Sequence, residues 1–150
     1  MLIDVLTQLF ERDLNKLKQE IEQYASDGEL WKTAGDAPNS GGNLCLHLCG
    51  NLRHFIGFVL GGSGYVRDRD LEFSDTGVSR DELFLRIDAT LEEVKAGLAK
   101  LAPDDLENEY PIDVFGHPMT TGWFVTHLAT HFSYHLGQIN YHRRLISAAQ

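Results

Sequence analysis

Residues 41–60 read GGNLCLHLCGNLRHFIGFVL, a stretch that is apolar on nearly every side. A helix of that kind must be enclosed by other elements, so the stretch predicts a central buried helix, weakened by Gly50 and Gly57. Its partners are visible on either side. Leu2, Leu6, Leu9, Leu14, Leu17, Ile21 and Tyr24 recur at steps of three to five among charged residues, which predicts an amphipathic helix over residues 1–24. Ser79 and Glu82 have capping-box spacing, and Leu83, Ile87, Leu91, Val94, Leu98 and Leu101 continue from them as a stripe that should stop before Pro103. A last helix should start at Thr120 or Thr121 and run to about Ser147. Four such helices can bury their apolar sides together, so the expected fold is an all-α four-helix bundle in one domain, residues 1–150.

The connections are long. Residues 26–40 carry Gly28, Gly35, Pro38 and a polar run, with Asn39 or Ser40 positioned to cap the second helix. The stretch GGSGYVRDRDLEFSDTG, residues 61–77, has no apolar stripe and reads as a long loop, with Arg67, Asp68, Arg69 and Asp70 as solvated ion pairs. Pro111, Gly116 and Pro118 between β-formers predict an extended excursion or small hairpin at 109–120.

With 13 Lys and Arg against 22 Asp and Glu, the net charge is −9. No basic stripe is available to neutralise phosphates, which argues against nucleic acid and anionic membranes as partners. No stretch of about 18 apolar residues occurs, and Asp4, Glu11 and Arg12 interrupt the N-terminus before a signal-like region could form, so a cytoplasmic protein is expected. Cys45 and Cys49 sit one helical turn apart, where a disulfide would be strained, and they read as reduced packing residues.

Seven histidines are the unusual feature, and five fall in two segments with metal-ligand spacing. On the last helix His131, His135 and His142 lie about 40°, 80° and 60° round from His127, so all four share one stripe. Histidines four apart on a helix can grip one ion, whereas His142 is about 10 Å beyond His135 and should be nearer the surface. The second helix offers His47 or His54, of which one can join such a site. Geometry leaves that choice open, and equally the choice of pair on the last helix. Several unpaired imidazoles in a core would each cost roughly 1–3 kcal/mol, a cost that a shared cation removes.

The segments LHLCGNLRHFIG (46–57) and HFSYHLGQI (131–139) resemble the DinB-like (DinB/YfiT-like) family of metalloenzymes. The likeness extends over the first helix, Trp31, the approach NSGGNLCLH (39–47) and the loop RDRDLEF (67–73). It implies a four-helix bundle, often dimeric, and a metal ion held by three histidines, which by resemblance fall on His47, His131 and His135. Three neutral ligands leave a divalent ion, zinc or nickel, with an open position, as in catalytic sites. The expected function is a metal-dependent hydrolase or thiol S-transferase that activates water or a low-molecular-weight thiol toward a small-molecule substrate. The alternative is a non-catalytic metal-binding or stress-associated interaction protein. Asn51, His127, Tyr134 and Gln138 are the candidates for orienting the ligand rings. No acidic residue shares their helical spacing, so an acid or base would have to come from another segment. Helices this apolar also suggest a homodimer.

Overall fold

In the computed structural model, which describes residues 1–148, the chain forms α1 (Leu2–Glu22), α2 (Gly41–Leu52), α3 (Arg69–Ser74), α4 (Arg80–Leu98) and α5 (Thr121–Ala148). Helix α1 packs on α4 and α5, and α2 packs on the same two. This is the expected four-helix bundle, with the short α3 laid against α2. No described helix is long and apolar enough to cross a membrane.

The apolar spacing of α1 puts Leu6, Phe10, Leu14, Leu17 and Ile21 into the core. Each contributes roughly 1.5–3 kcal/mol by leaving water. Beside them the buried Glu20 accepts hydrogen bonds from Asn140 Nδ2 (2.7 Å) and Arg143 Nε (2.8 Å), which fixes the sliding register of α1 against α5. Every residue of α2 is buried within a single copy of the chain, as its all-round apolar sequence requires. Cys45 and Cys49 are free thiols in that core.

Helix starts follow side-chain chemistry. Ser40 Oγ accepts from the Asn43 amide, Ser79 Oγ from Glu82, and Thr120 Oγ1 from Trp123, so each leads its helix as a cap. Residues 109–120 make the expected excursion, closed by one bridge between Glu109 and Thr120. It is pinned inward by Tyr110, whose hydroxyl donates to the Phe55 carbonyl at 2.6 Å.

Three segments depart from expectation. The second helix does not continue regularly to residue 60. From Arg53 to Phe58 it widens into a π-helical turn, with the Val59 amide donating to the His54 carbonyl. The connection after α1 contains a 3₁₀ turn, Asp27–Trp31. Part of the expected 61–77 loop is helical: Asp68 accepts from the Leu71 amide and starts α3.

The π-helical turn crosses α4 at Gly97, whose missing side chain lets the Ile56 backbone come close. A Cβ on Gly97 would stand 2.6 Å from the Ile56 carbonyl oxygen, so the contact depends on glycine. Gly137, inside α5, faces open space. Gly97→Ala is therefore expected to destabilise the chain by about 1–3 kcal/mol through overpacking. Gly137→Ala should stabilise it by up to about 1 kcal/mol through helix propensity. Urea unfolding of the two variants checks both signs.

Candidate metal centre

Helix α5 is continuous through the histidine run, so His131 and His135 project one turn apart on the side facing α2. Their ring centroids are 4.6 Å apart. His47, from the middle of α2, completes a triangle, with its ring 5.1 Å from each of the other two. One ring nitrogen from each of the three lies within 4.8 Å of the others. Arithmetic could not choose between His47 and His54; the fold brings His47 to the pair on α5.

The two outer ring partners fix how these imidazoles point. His47 Nδ1 is 2.9 Å from Glu72 Oε1, a carboxylate oxygen that can only accept, so the proton sits on Nδ1 and the Nε2 lone pair faces the cluster. His135 Nδ1 likewise donates to Gln138 Oε1 at 2.7 Å, which leaves Nε2 free. His47 Nε2 and His131 Nε2 are 3.2 Å apart. Ligand nitrogens about 2.0–2.1 Å from one cation at tetrahedral angles would be separated by about 3.3–3.4 Å, so this spacing suits a shared ion. Burial, then the neighbouring His135 and His47, lower the His131 pKa to about 4. His135 is also lowered by burial, against the opposing Gln138 bond. His131 and His135 are thus held as neutral donors, and with the inward-facing Nε2 of His47 the trio fits a divalent cation.

Glu72 was hidden in the stretch read as a solvated loop. It is buried, and it accepts from Arg67 Nε and Nη2, both at 2.8 Å, as well as from His47. Burial pushes its carboxyl pKa up, but the hydrogen bonds from Arg67 and His47 outweigh that and hold it below the ordinary value. Arg67, with its side chain only 11% exposed, is consequently no solvated ion-pair member. Asp68 caps α3 and Arg69 lies over the Phe73 ring. Gly50 makes room for this arrangement, since a Cβ there would run into Glu72 Oε2. The only cue in the sequence was a glycine one turn beyond His47, with an Arg and a Glu five residues apart in the following segment.

Residues 2–150 match the family described as "Protein of unknown function (DUF1572)". The chain belongs to that family, and its fold is DinB-like. Among solved structures it is similar to a conserved protein from Enterococcus faecalis, with a TM-score of 0.76, 14% identity, and 97% of this chain and 96% of the other covered. It is also similar to a DinB-like protein from Bacillus cereus, with a TM-score of 0.70, 18% identity, and coverage of 93% and 89%. At those identities the likeness speaks for the fold. No curated protein matches the chain.

The remaining candidates of this DinB-like chain are placed variously. Gln138 Oε1 accepts from His135 Nδ1, whereas the exposed Tyr134 stands with its ring 5.4 Å from that of His135. His127 stacks on Trp123, with centroids 5.4 Å apart, and lies 6.2 Å from His131, outside the trio. Asn51 orients no imidazole: its Oδ1 is buried without a hydrogen-bond partner, as is His131 Nδ1. His54 lies on the π-helical turn beside Phe55, and burial and then Arg67 lower its pKa.

His142 is the clearest correction. It is only 6% exposed, not near the surface, because Tyr24 and the Lys32 carbonyl enclose it. Its Nε2 donates to that carbonyl at 2.6 Å, so Nδ1 accepts from the Tyr24 hydroxyl at 2.7 Å. Gly41 leaves space for this pair. Burial lowers the His142 pKa below its ordinary value, despite the carbonyl bond. Below about pH 6.5 the unfolded chain therefore takes up a proton that the folded chain resists, and stability falls with pH. His142→Gln is expected to cost about 1–3 kcal/mol at pH 7.5 through the lost buried bonds. Its urea midpoint should then decline less steeply than the parent's between pH 7 and 5.

Proposed function

We propose that the chain is a metal-dependent enzyme in which His47, His131 and His135 hold one divalent ion, zinc or nickel, for hydrolysis or thiol transfer on a small molecule. The observation that carries this reading is the convergence of three imidazoles, two of them with the outer nitrogen tied to an acceptor. A bound ion would supply Lewis acidity, lowering the pKa of a water or thiol or polarising a substrate carbonyl. Three protein ligands match the open shell of catalytic sites better than the four of structural ones.

The chain's own groups have separate tasks in this scheme. Glu72 keeps the His47 proton on Nδ1, and Gln138 does the same for His135, so each ring presents a lone pair inward. Arg67 occupies both carboxylate oxygens, which fits Glu72 for orientation and leaves it poorly placed as a general base. Phe73 packs on the His47 ring at 4.8 Å and limits water on that side.

Calorimetric titration of chelator-treated protein with zinc and with nickel tests the reading. One equivalent is expected to bind. Glu72→Gln should weaken binding by roughly 10–100-fold, and His47→Ala, His131→Ala or His135→Ala by more. Absence of binding, or a His47→Ala variant that binds as the parent does, refutes it. Hydrolytic and thiol-transfer assays with and without metal then separate an enzyme from a metal-binding protein without catalysis. The scheme requires no second copy of the chain; the homodimer is a separate proposal, and a monomeric mass by light scattering at micromolar concentration overturns it.

A further inference from the structure

A cleft adjoins one member of the histidine trio, His135. It has a volume of about 410 Å³ and runs from His135 along α5, roofed by the connection at Ala34–Asn39. Its volume falls within the range of small-molecule sites. Leu44, Pro38, Leu145 and the rings of Tyr134 and Tyr141 supply its apolar walls.

No Asp, Glu, Lys or Arg lines it. That is unusual in a chain that is 23% charged. The cleft behind Glu72 is lined by Arg53, Asp68, Asp75 and Arg86, and the one between α1 and α5 by Arg12, Asp13, Lys16 and Arg144. The polar groups in the cleft at His135 are largely spent. Both ring nitrogens of His142 are hydrogen-bonded, and Gln138 Oε1 is taken by His135. Besides the His135 Nε2 assigned to the ion, what remains for a ligand is the Gln138 amide nitrogen, the Asn39 side chain and two tyrosine hydroxyls, none of them a carboxylate, ammonium or guanidinium. Away from the ion at His135, a charged group entering here would lose hydration without gaining an opposite charge.

We infer that this cleft binds the uncharged, mainly apolar portion of the substrate, an aryl or alkyl group with at most neutral hydrogen-bonding substituents, and delivers it to the ion at His135. The inference rests on the metal-dependent reading above and narrows its substrate class. It also places any thiol bearing carboxylate or ammonium groups outside the cleft, with the electrophile inside.

Three probes of one shape and different charge test it: 2-naphthamide, 2-naphthoate and 2-naphthamidine. Each is titrated into the chelator-treated protein and followed by backbone amide chemical shifts. The amide is expected to perturb residues around Leu44, Gln138, Tyr141 and Leu145, and to bind at least about tenfold tighter than either charged probe. Leu145 is 60% exposed at the rim, so Leu145→Lys should fold normally. It should raise naphthoate affinity and lower that of naphthamidine. Equal affinities, shifts that map elsewhere, absence of binding, or a cleft covered by a second copy of the chain would each overturn the inference. Metal affinity is measured separately, so loss of zinc binding with charge selectivity intact refutes the metal reading alone. Zinc binding without that selectivity refutes the cleft alone.

Discussion

The Glu72 carboxylate, buried between Arg67 and His47, is the interaction on which the site depends. A carboxylate removed from water is costly unless paired, and here the Arg67 guanidinium meets both oxygens in a fork while His47 uses one of them. The same contact ties α3 to α2, fixes the His47 tautomer and turns its free nitrogen toward α5. Without Gly50 the carboxylate would have no place to stand. One residue thereby links the folding of an irregular segment to the chemistry of an interior site.

The rest of the bundle supplies rigidity in proportion to its apolar content. Helix α2 is enclosed on all sides, α1 is keyed to α5 by Glu20, and the π-helical turn is wedged against Gly97 and tethered by Tyr110. Such wide helical turns recur near functional sites because they turn side chains out of the regular register. Here the turn begins six residues after His47, so that ligand keeps ordinary helical geometry while His54 does not.

Much of this was legible in the chain. Periodicity located α1 and α4 to within a few residues, and Ser40, Ser79 and Thr120 marked the starts of α2, α4 and α5 because a cap is a local, one-residue signal. The trio His47, His131 and His135 followed from residue spacing combined with family resemblance. Three features were not legible, each for a physical reason. Helix α3 has six residues, too few to show a period, and its stabilising partner lies 25 positions away on α2. Arg67 looked solvated because alternating charges usually are. His142 shares the ligands' stripe by angle, yet its surroundings are set by Tyr24 and Lys32, which no helical wheel contains.

Two of the three imidazoles ride on one unbroken helix, and the third arrives from another. The bite of the first two is set by helix pitch and is nearly constant; the span to His47 is the one adjustable dimension. That span can change only if α2 shifts bodily against α5, and a rod packed tightly on every side has little room to shift. Preference among cations of different radius would then reside in the interlocking of two helices and not in the ligands themselves, which are the same three rings for every ion.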